Sequence, residues 1–449
     1  MPRRSRPRGP AAITLALSLL LSFPLTTIPS AASINTVTVA PGLTWTRMVK
    51  TSPRRNVIHY LTVDPAEAVT LDVALARDRL LGFQRTSVMA NNHEALAAVN
   101  GDFGLSPGRP QHAFAEDGDL KQLTVAGGNK NFAMSDDELT ANVGRPPDMA
   151  VTATATSSSE TREIAEWNTG DPTAGTITGY TRPAHGVEQP RPGACSLQLM
   201  PSGPKAFSPS GAVQRPYEVS TEACSSYSEV PTGVVLSANQ GSAEALWLSE
   251  YSIGDEIVLE WSFGWGGILD AIGGSPVLVE EGALVAPTSC WTAAFCRRHP
   301  RTGVGVTAEG DILLVTVDGR RRNSAGMTLT AFGKLFLSLG AEAALNLDGG
   351  GSTTMVVNGN VVNRPSDGKQ RAVSSALIVL PGPDGDETLA PEQAVAAPSG
   401  SWDLALHDPA STGGLLDAQR RGVIEGPIGP RMAGLVREFR ESRGQDLNL

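Results

Sequence analysis

The sequence predicts an α+β fold: a mixed β-sheet core with packed helices, and active-site loops at strand ends. Three observations carry this. Short β-branched runs recur between polar and glycine breaks, one helical segment lies between two buried apolar strands, and 48 Gly with 32 Pro keep the helix content modest.

Taken in chain order, Val57–Val63 and Val69–Leu75 read as strands, and 87–97 suggests a helix leading into the buried strand Ala97-Ala98-Val99. Residues 135–160 are polar and read as loop and strand edge. Residues 188–230, rich in Pro, Ser and Gly, read as a stapled insertion. Glu256–Trp261 reads as a strand, and the continuous apolar run Ile312–Val317 as one buried on both faces. Leu329, Phe332, Leu335, Phe336 and Leu339 fall at helical spacing, with Thr328 as N-cap and Gly340 as the stop. Ala343–Leu347 follows as a buried strand, so the trio suggests a crossover unit. Asn358-Gly359 marks a hairpin, and Val373–Leu380 closes the domain.

The ends read differently. Arg3, Arg4, Arg6 and Arg8, an apolar run from Ala11 to about Leu25, and small residues at Ser30–Ala32 form a signal-peptide pattern over residues 1–32. The apolar run is short for a bilayer span, which needs roughly 20 residues. Residues 33–382 would then be the catalytic domain. Residues 383–449 would be a linker and weakly structured tail, with a short helix at 430–443. The leader carries four arginines and no acid, so cleavage moves the formal charge from −10 to −14. Nothing basic survives to mark a nucleic-acid site, and no second apolar run suggests a membrane. The expectation is therefore a secreted protein without nucleic-acid or membrane partners.

Four cysteines in an exported chain favour two disulfides. Sequence proximity suggests Cys195–Cys224 and Cys290–Cys296, although four cysteines allow three pairings. No CxxC pair occurs and the six histidines are scattered, so neither zinc nor any other metal or cofactor is expected.

The most unusual segment is Asn346-Leu347-Asp348-Gly349-Gly350-Gly351-Ser352-Thr353-Thr354. A buried strand delivers a carboxylate into three glycines, whose backbone can approach an anion closely. The plain alternative is a glycine-rich turn formed by Asp348. No Lys follows the glycines, so it is no P-loop, and their contiguity excludes a dinucleotide fingerprint. Gly350-Gly351-Ser352 also lacks a nucleophile elbow. Other strand ends carry Asn100-Gly101-Asp102, Arg301-Thr302 before Gly303, Asp318-Gly319-Arg320, and a polar cluster at 363–367 with Arg371. Alone, each could be an ordinary turn or a surface charge.

Taken in order, Ala98–Phe103, Gly273–Leu278, Pro300–Gly305, Val317–Arg320, Ser324–Thr328, Asn346–Thr354 and Arg371–Ala376 resemble the phosphodiester glycosidase family over roughly residues 50–382. Two departures stand out. Gly104 follows Phe103 where the family often has a second aromatic, and 188–230 could reshape the substrate mouth. The resemblance implies cleavage between a sugar's anomeric carbon and a phosphodiester oxygen, on a carbohydrate or phosphoglycan of cell surfaces or exopolysaccharide. A phosphate monoester leaves without a proton, so one dominant carboxylate with electrostatic help can suffice. On this reading Asp348 is that carboxylate, with Asp102 and Asp318 in reserve. Arg301 and the Gly349–Gly351 backbone hold phosphate, and Asn100, Thr302, Arg320, Asn346, Ser352, Thr353 and Arg371 complete the substrate site. Three readings stay open beside it: a non-catalytic glycan-binding protein of the same fold, a metal-dependent phosphodiesterase using Asp102, Asp318 and Asp348, and a transglycosylase or polysaccharide-tailoring enzyme.

Overall fold

The computed structural model describes residues 31–382 apart from 169–171, 182–192, 225–232 and 291. The expected leader up to residue 30 and the expected tail at 383–449, with its helix, lie outside these residues.

The α+β expectation is overturned. Strands make up 47% and helices 10%, with four α-helices among the described residues, a seven-stranded barrel and several further sheets. The polar stretch read as loop and strand edge at 135–160 contributes two whole strands, Ala141–Gly144 and Ala150–Ala155. The helix expected over 87–97 is only Thr86–Asn92, because Leu96 already donates its amide to Val379 in the sheet. Closely spaced turn residues leave runs too short for helices, and antiparallel pairing satisfies their backbone groups instead.

One sheet of eight strands runs, in spatial order, Ala31–Ala40, Leu43–Lys50, Asn56–Val63, Ile312–Val317, Arg301–Thr307, Ala341–Asn346, Val277–Glu280 and Ala283–Leu284. Every neighbouring pair is antiparallel. Ile312–Val317 and Ala341–Asn346 are thus parallel to each other but separated by Arg301–Thr307, so the expected crossover spans an intervening strand. A five-stranded antiparallel sheet runs Asn360–Val361, Met355–Val357, Ala97–Asn100, Ser375–Pro381, Val69–Leu75. The two sheets bury a common core that includes Leu61, Val304, Leu314 and Leu345 from the first and Leu71, Val99, Met355 and Leu377 from the second.

Helices cover the outer faces. Leu329–Ser338 starts where the Thr328 hydroxyl accepts from the Ala331 amide at 3.2 Å, and Gly340 at φ +92° ends it. Its Phe332, Leu335 and Phe336 pack on Leu278, Leu313 and Val315, each buried side chain contributing roughly 1.5–3 kcal/mol. A Cβ on Gly303 would lie 2.9 Å from Phe332, and one on Gly305 2.8 Å from Phe336. Those glycines therefore serve close helix–sheet packing. Thr86–Asn92 covers the second sheet through Met89 and Ala90 against Ala98, Val356 and Ile378.

The segment read as an insertion supplies barrel strands. Ala194–Pro201, Val234–Asn239, Ile177–Thr181, Thr161–Trp167, Ala150–Ala155, Glu256–Ser262 and Val213–Val219 follow one another, and Leu199↔Val219 to Pro201↔Tyr217 pairing closes the ring. The disulfides are Cys195–Cys224, at the barrel, and Cys290–Cys296, as sequence proximity suggested. A third sheet, Asp119–Gln122, Phe114–Glu116, Ile268–Gly273, Asn131–Ser135, Ala141–Gly144, gives Phe132 and Ile272 to the sandwich core and Ala133 and Ala271 to the barrel core.

Candidate active site

Antiparallel register brings three strand ends together: Arg301 opposes Val317, and Gly303 opposes Asn346. The facing sheet adds the end of Ala97–Asn100, where the Gly101 carbonyl accepts from the Asp348 amide at 3.0 Å. Asn100 is the buried strut of this junction. Its Nδ2 donates to the Asp348 carbonyl at 2.6 Å, and its Oδ1 accepts from the Thr302 hydroxyl at 2.8 Å and the Thr354 amide at 3.0 Å. Asn346 likewise donates to the Ser275 and Leu347 carbonyls at 2.7 and 2.8 Å. Asn100 and Asn346 thus bind backbone carbonyls, and the Thr302 hydroxyl binds the Asn100 side chain. The Thr353 hydroxyl is buried without a hydrogen-bond partner, as is Asn346 Oδ1.

The half-buried Asp348 carboxyl lies at this junction. Burial pushes its pKa up to about 6, against the opposing pull of a Ser352 hydrogen bond, the Arg371 charge and the Gly349 amide, while Asp102 adds a small upward push. Gly349 is needed for space against backbone and Gly350 for its positive φ, while all three leave room for neighbouring groups. A Cβ on Gly349 would lie 2.8 Å from the Pro300 carbonyl, and one on Gly350 (φ +63°) 3.0 Å from the Arg320 guanidinium. A Cβ on Gly351 would collide with both Arg371 and Asp367. The Gly350 amide donates to the Pro300 carbonyl at 2.9 Å and the Gly349 amide bonds the Asp348 carboxyl, so these two amides are already engaged. The glycines let two guanidinium groups come down onto the loop.

Arg371 donates to Asp367 at 2.7 Å and reaches the Ser352 hydroxyl at 3.5 Å. Arg320, exposed and at φ +57°, contacts His299 Nδ1 at 3.2 Å, while His299 Nε2 donates to the Ala294 carbonyl at 2.7 Å. Arg301 is arranged differently. It is 2% exposed, and its Nε and Nη2 donate to the Met327, Phe295 and Arg297 carbonyls at 3.0, 2.8 and 2.9 Å. Burial, and then Arg320, lowers its pKa to about 10, so it stays charged. Arg301 braces the loop closed by Cys290–Cys296, whose Phe295 meets Phe103 at 6.0 Å between ring centres.

Asp318 is enclosed. Its Oδ1 accepts from the Arg364 amide at 2.9 Å and from Asn363 at 3.5 Å, and Asn363 in turn donates to the Thr353 carbonyl at 3.0 Å. Burial raises its pKa. Asp102 is fully buried and held by the His112 amide and ring Nδ1, at 2.7 and 2.8 Å, and by the Phe103 amide at 2.7 Å. Sequence reasoning missed His112, which lies in no motif and meets Asp102 only through the fold. It also missed the packing of Arg320 against His299. Among the described residues, no three His, Cys, Asp or Glu side chains converge as metal ligands, so Asp102, Asp318 and Asp348 do not form one cluster.

Residues 213–380 match the phosphodiester glycosidase family. The chain is 40% identical over 67 residues to bovine (Bos taurus) N-acetylglucosamine-1-phosphodiester alpha-N-acetylglucosaminidase, which covers 15% of this chain and 12% of that protein. It is 43% identical over 82 residues to an SPbeta prophage-derived uncharacterized protein of Bacillus subtilis (strain 168), covering 18% of this chain and 13% of that one. The aligned segments thus span about an eighth of these relatives' lengths. A hypothetical protein from Synechocystis shares the fold, with a TM-score of 0.59 at 21% identity over 75% of this chain and 62% of that one. The matched segment, which contains Arg301, Asp318, Asp348 and Arg371, is thus similar to the phosphodiester glycosidase family.

Proposed function

We propose that the protein is an exported hydrolase that cleaves a sugar-1-phosphodiester at the anomeric carbon–oxygen bond, with Asp348 as the reacting carboxylate. The observation that carries this reading is the pairing of Asp348, buried enough to titrate near 6, with two guanidinium groups laid over the Gly350-Gly351 backbone. Above pH 6 the carboxylate is charged and can face a developing oxocarbenium centre, or engage water that attacks it. Arg371 and Arg320 are the cations placed to receive the phosphate. Its departure as a monoester anion needs charge stabilisation and no general acid, which fits the enclosure of both Asp102 and Asp318. Asp102 is fully buried, with Oδ1 and Oδ2 both taken up by hydrogen bonds. We therefore assign it to holding the Gly101–Phe103 turn, and Asp318 to holding the 363–364 segment against the Asp348 loop. Export is supported by the amino-terminal pattern and the two disulfides.

The test is turnover of N-acetylglucosamine-1-phosphodiesters and a panel of other sugar-1-phosphodiesters in ¹⁸O water, wild type beside Asp348→Asn. Label in the released sugar, absent with the variant, is expected. Label in phosphate would mean attack at phosphorus and overturn the proposal. So would binding without turnover.

A further inference from the structure

The barrel holds a cavity of about 520 Å³ that belongs to no part of the Asp348 site. It opens at one end of the ring, where directly paired positions share the inner face: Val151 with Trp261, Trp261 with Val213, Leu259 with Arg215, Pro201 with Tyr217, and Trp167 with Gly179. Small barrels either fill their interior with side chains or enclose a small ligand. The other end of this barrel is filled, with Ile257, Leu197, Leu236 and Ala153 in its core. The open end instead carries Trp167, Tyr217 and Trp261, and an arginine at a core-facing position, Arg215. Its volume lies within the roughly 300–1,000 Å³ usual for ligand sites.

We propose that this end of the barrel is a binding site for a neutral oligosaccharide. The chemistry of the walls selects among ligand classes. A lipid tail needs a uniformly apolar lining, but Lys121, Lys205, Arg215 and Asp119 line this cavity. A strongly anionic ligand needs unmatched cations, but the lysines are matched. Lys205 donates to Asp119 Oδ1 at 3.0 Å, and Lys121 lies 3.6 Å from both Asp119 and Glu116. What is left is a set of donors and acceptors of low net charge around aromatic rings. Sugars suit it, because their hydroxyls hydrogen-bond groups of either sign and their C–H faces lie against aromatic rings. The site rests on barrel residues alone and stands whether or not Asp348 is catalytic.

The experiment is isothermal titration of the whole protein with chitotriose, maltotriose and xylotriose, and with laurate and inorganic phosphate as competing classes. At least one trisaccharide is expected to bind with a Kd below about 1 mM, the weak end of specific recognition. Trp261→Ala should weaken it tenfold or more, and Asp348→Asn should leave it unchanged. If Trp261→Ala does not fold, Arg215→Met, which keeps the stem and removes the guanidinium, serves as the second variant with the same expected loss. Absence of trisaccharide binding would overturn the site. Binding of laurate or phosphate alone, or loss of saccharide binding in Asp348→Asn, would overturn it equally.

Discussion

Replacing Asp348 by Asn should abolish turnover and at the same time make the protein more stable, by an amount that grows with pH. The carboxyl titrates at about 6 in the folded chain against 3.8 for an unperturbed aspartate, a difference worth about 3 kcal/mol at 1.36 kcal/mol per unit. A raised carboxylate stabilises the fold while protonated. That contribution is complete below about pH 3.8 and disappears as pH rises through about 6. Linkage places about 1 kcal/mol of the loss below pH 4.5 and about 2 kcal/mol between pH 4.5 and 8. An amide keeps the neutral hydrogen-bonding shape and never ionises, so the variant lacks this loss. At about 2 °C per kcal/mol for a domain of this size, the Tm of Asp348→Asn relative to wild type should rise by about 4 °C from pH 4.5 to pH 8. Calorimetric scans of both proteins at pH 4.5, 6 and 8 and equal ionic strength read this directly, since every other titrating group cancels in the difference. Parallel Tm curves would refute the claim that Asp348 sits desolvated beside the glycine loop, and retained turnover would remove it from the reaction.

Three further outcomes are expected. Wild-type kcat/KM should fall as pH drops through about 6, because the working form of Asp348 is charged; a profile flat from pH 5 to 8 would contradict that role. Arg371→Met should lower kcat/KM at least about 100-fold on a sugar-1-phosphodiester, measured by initial rates, with the fold intact, since half of that guanidinium side chain is exposed. Asn100→Ala should act through stability, costing about 2–4 kcal/mol in urea unfolding, because it strands the Thr354 amide and the Thr302 hydroxyl inside the junction; a wild-type midpoint with a raised KM would instead make Asn100 a substrate ligand.

The strands around the site were legible because their signals are local. Val69–Leu75 and Ile312–Val317 stand where the β-branched runs end, and the helix at Leu329–Ser338 starts at its Thr328 cap. Asn358 and Gly359, both at positive φ, make the hairpin that their pairing announced. The barrel was not legible. Its closing contact joins Ala194–Pro201 to Val213–Val219, and its strands are gathered from between residues 150 and 262, so no single window of sequence shows the ring.

The same division runs through the site. By itself the sequence determined that a rigid strand end presents Asp348 to a loop of three glycines, since both facts are written in consecutive residues. Only the tertiary structure decided which charged groups meet that loop. Arg301, the arginine nearest a glycine-rich strand, turned inward to cap carbonyls, while Arg320 and Arg371 came down on Gly350 and Gly351. Asp102 lost its oxygens to His112, ten residues on and across the fold. The physical reason is that a backbone conformation is set by neighbours along the chain. The partner of a charged side chain is set by whichever unsatisfied donor or acceptor the packed strands bring within about 3 Å.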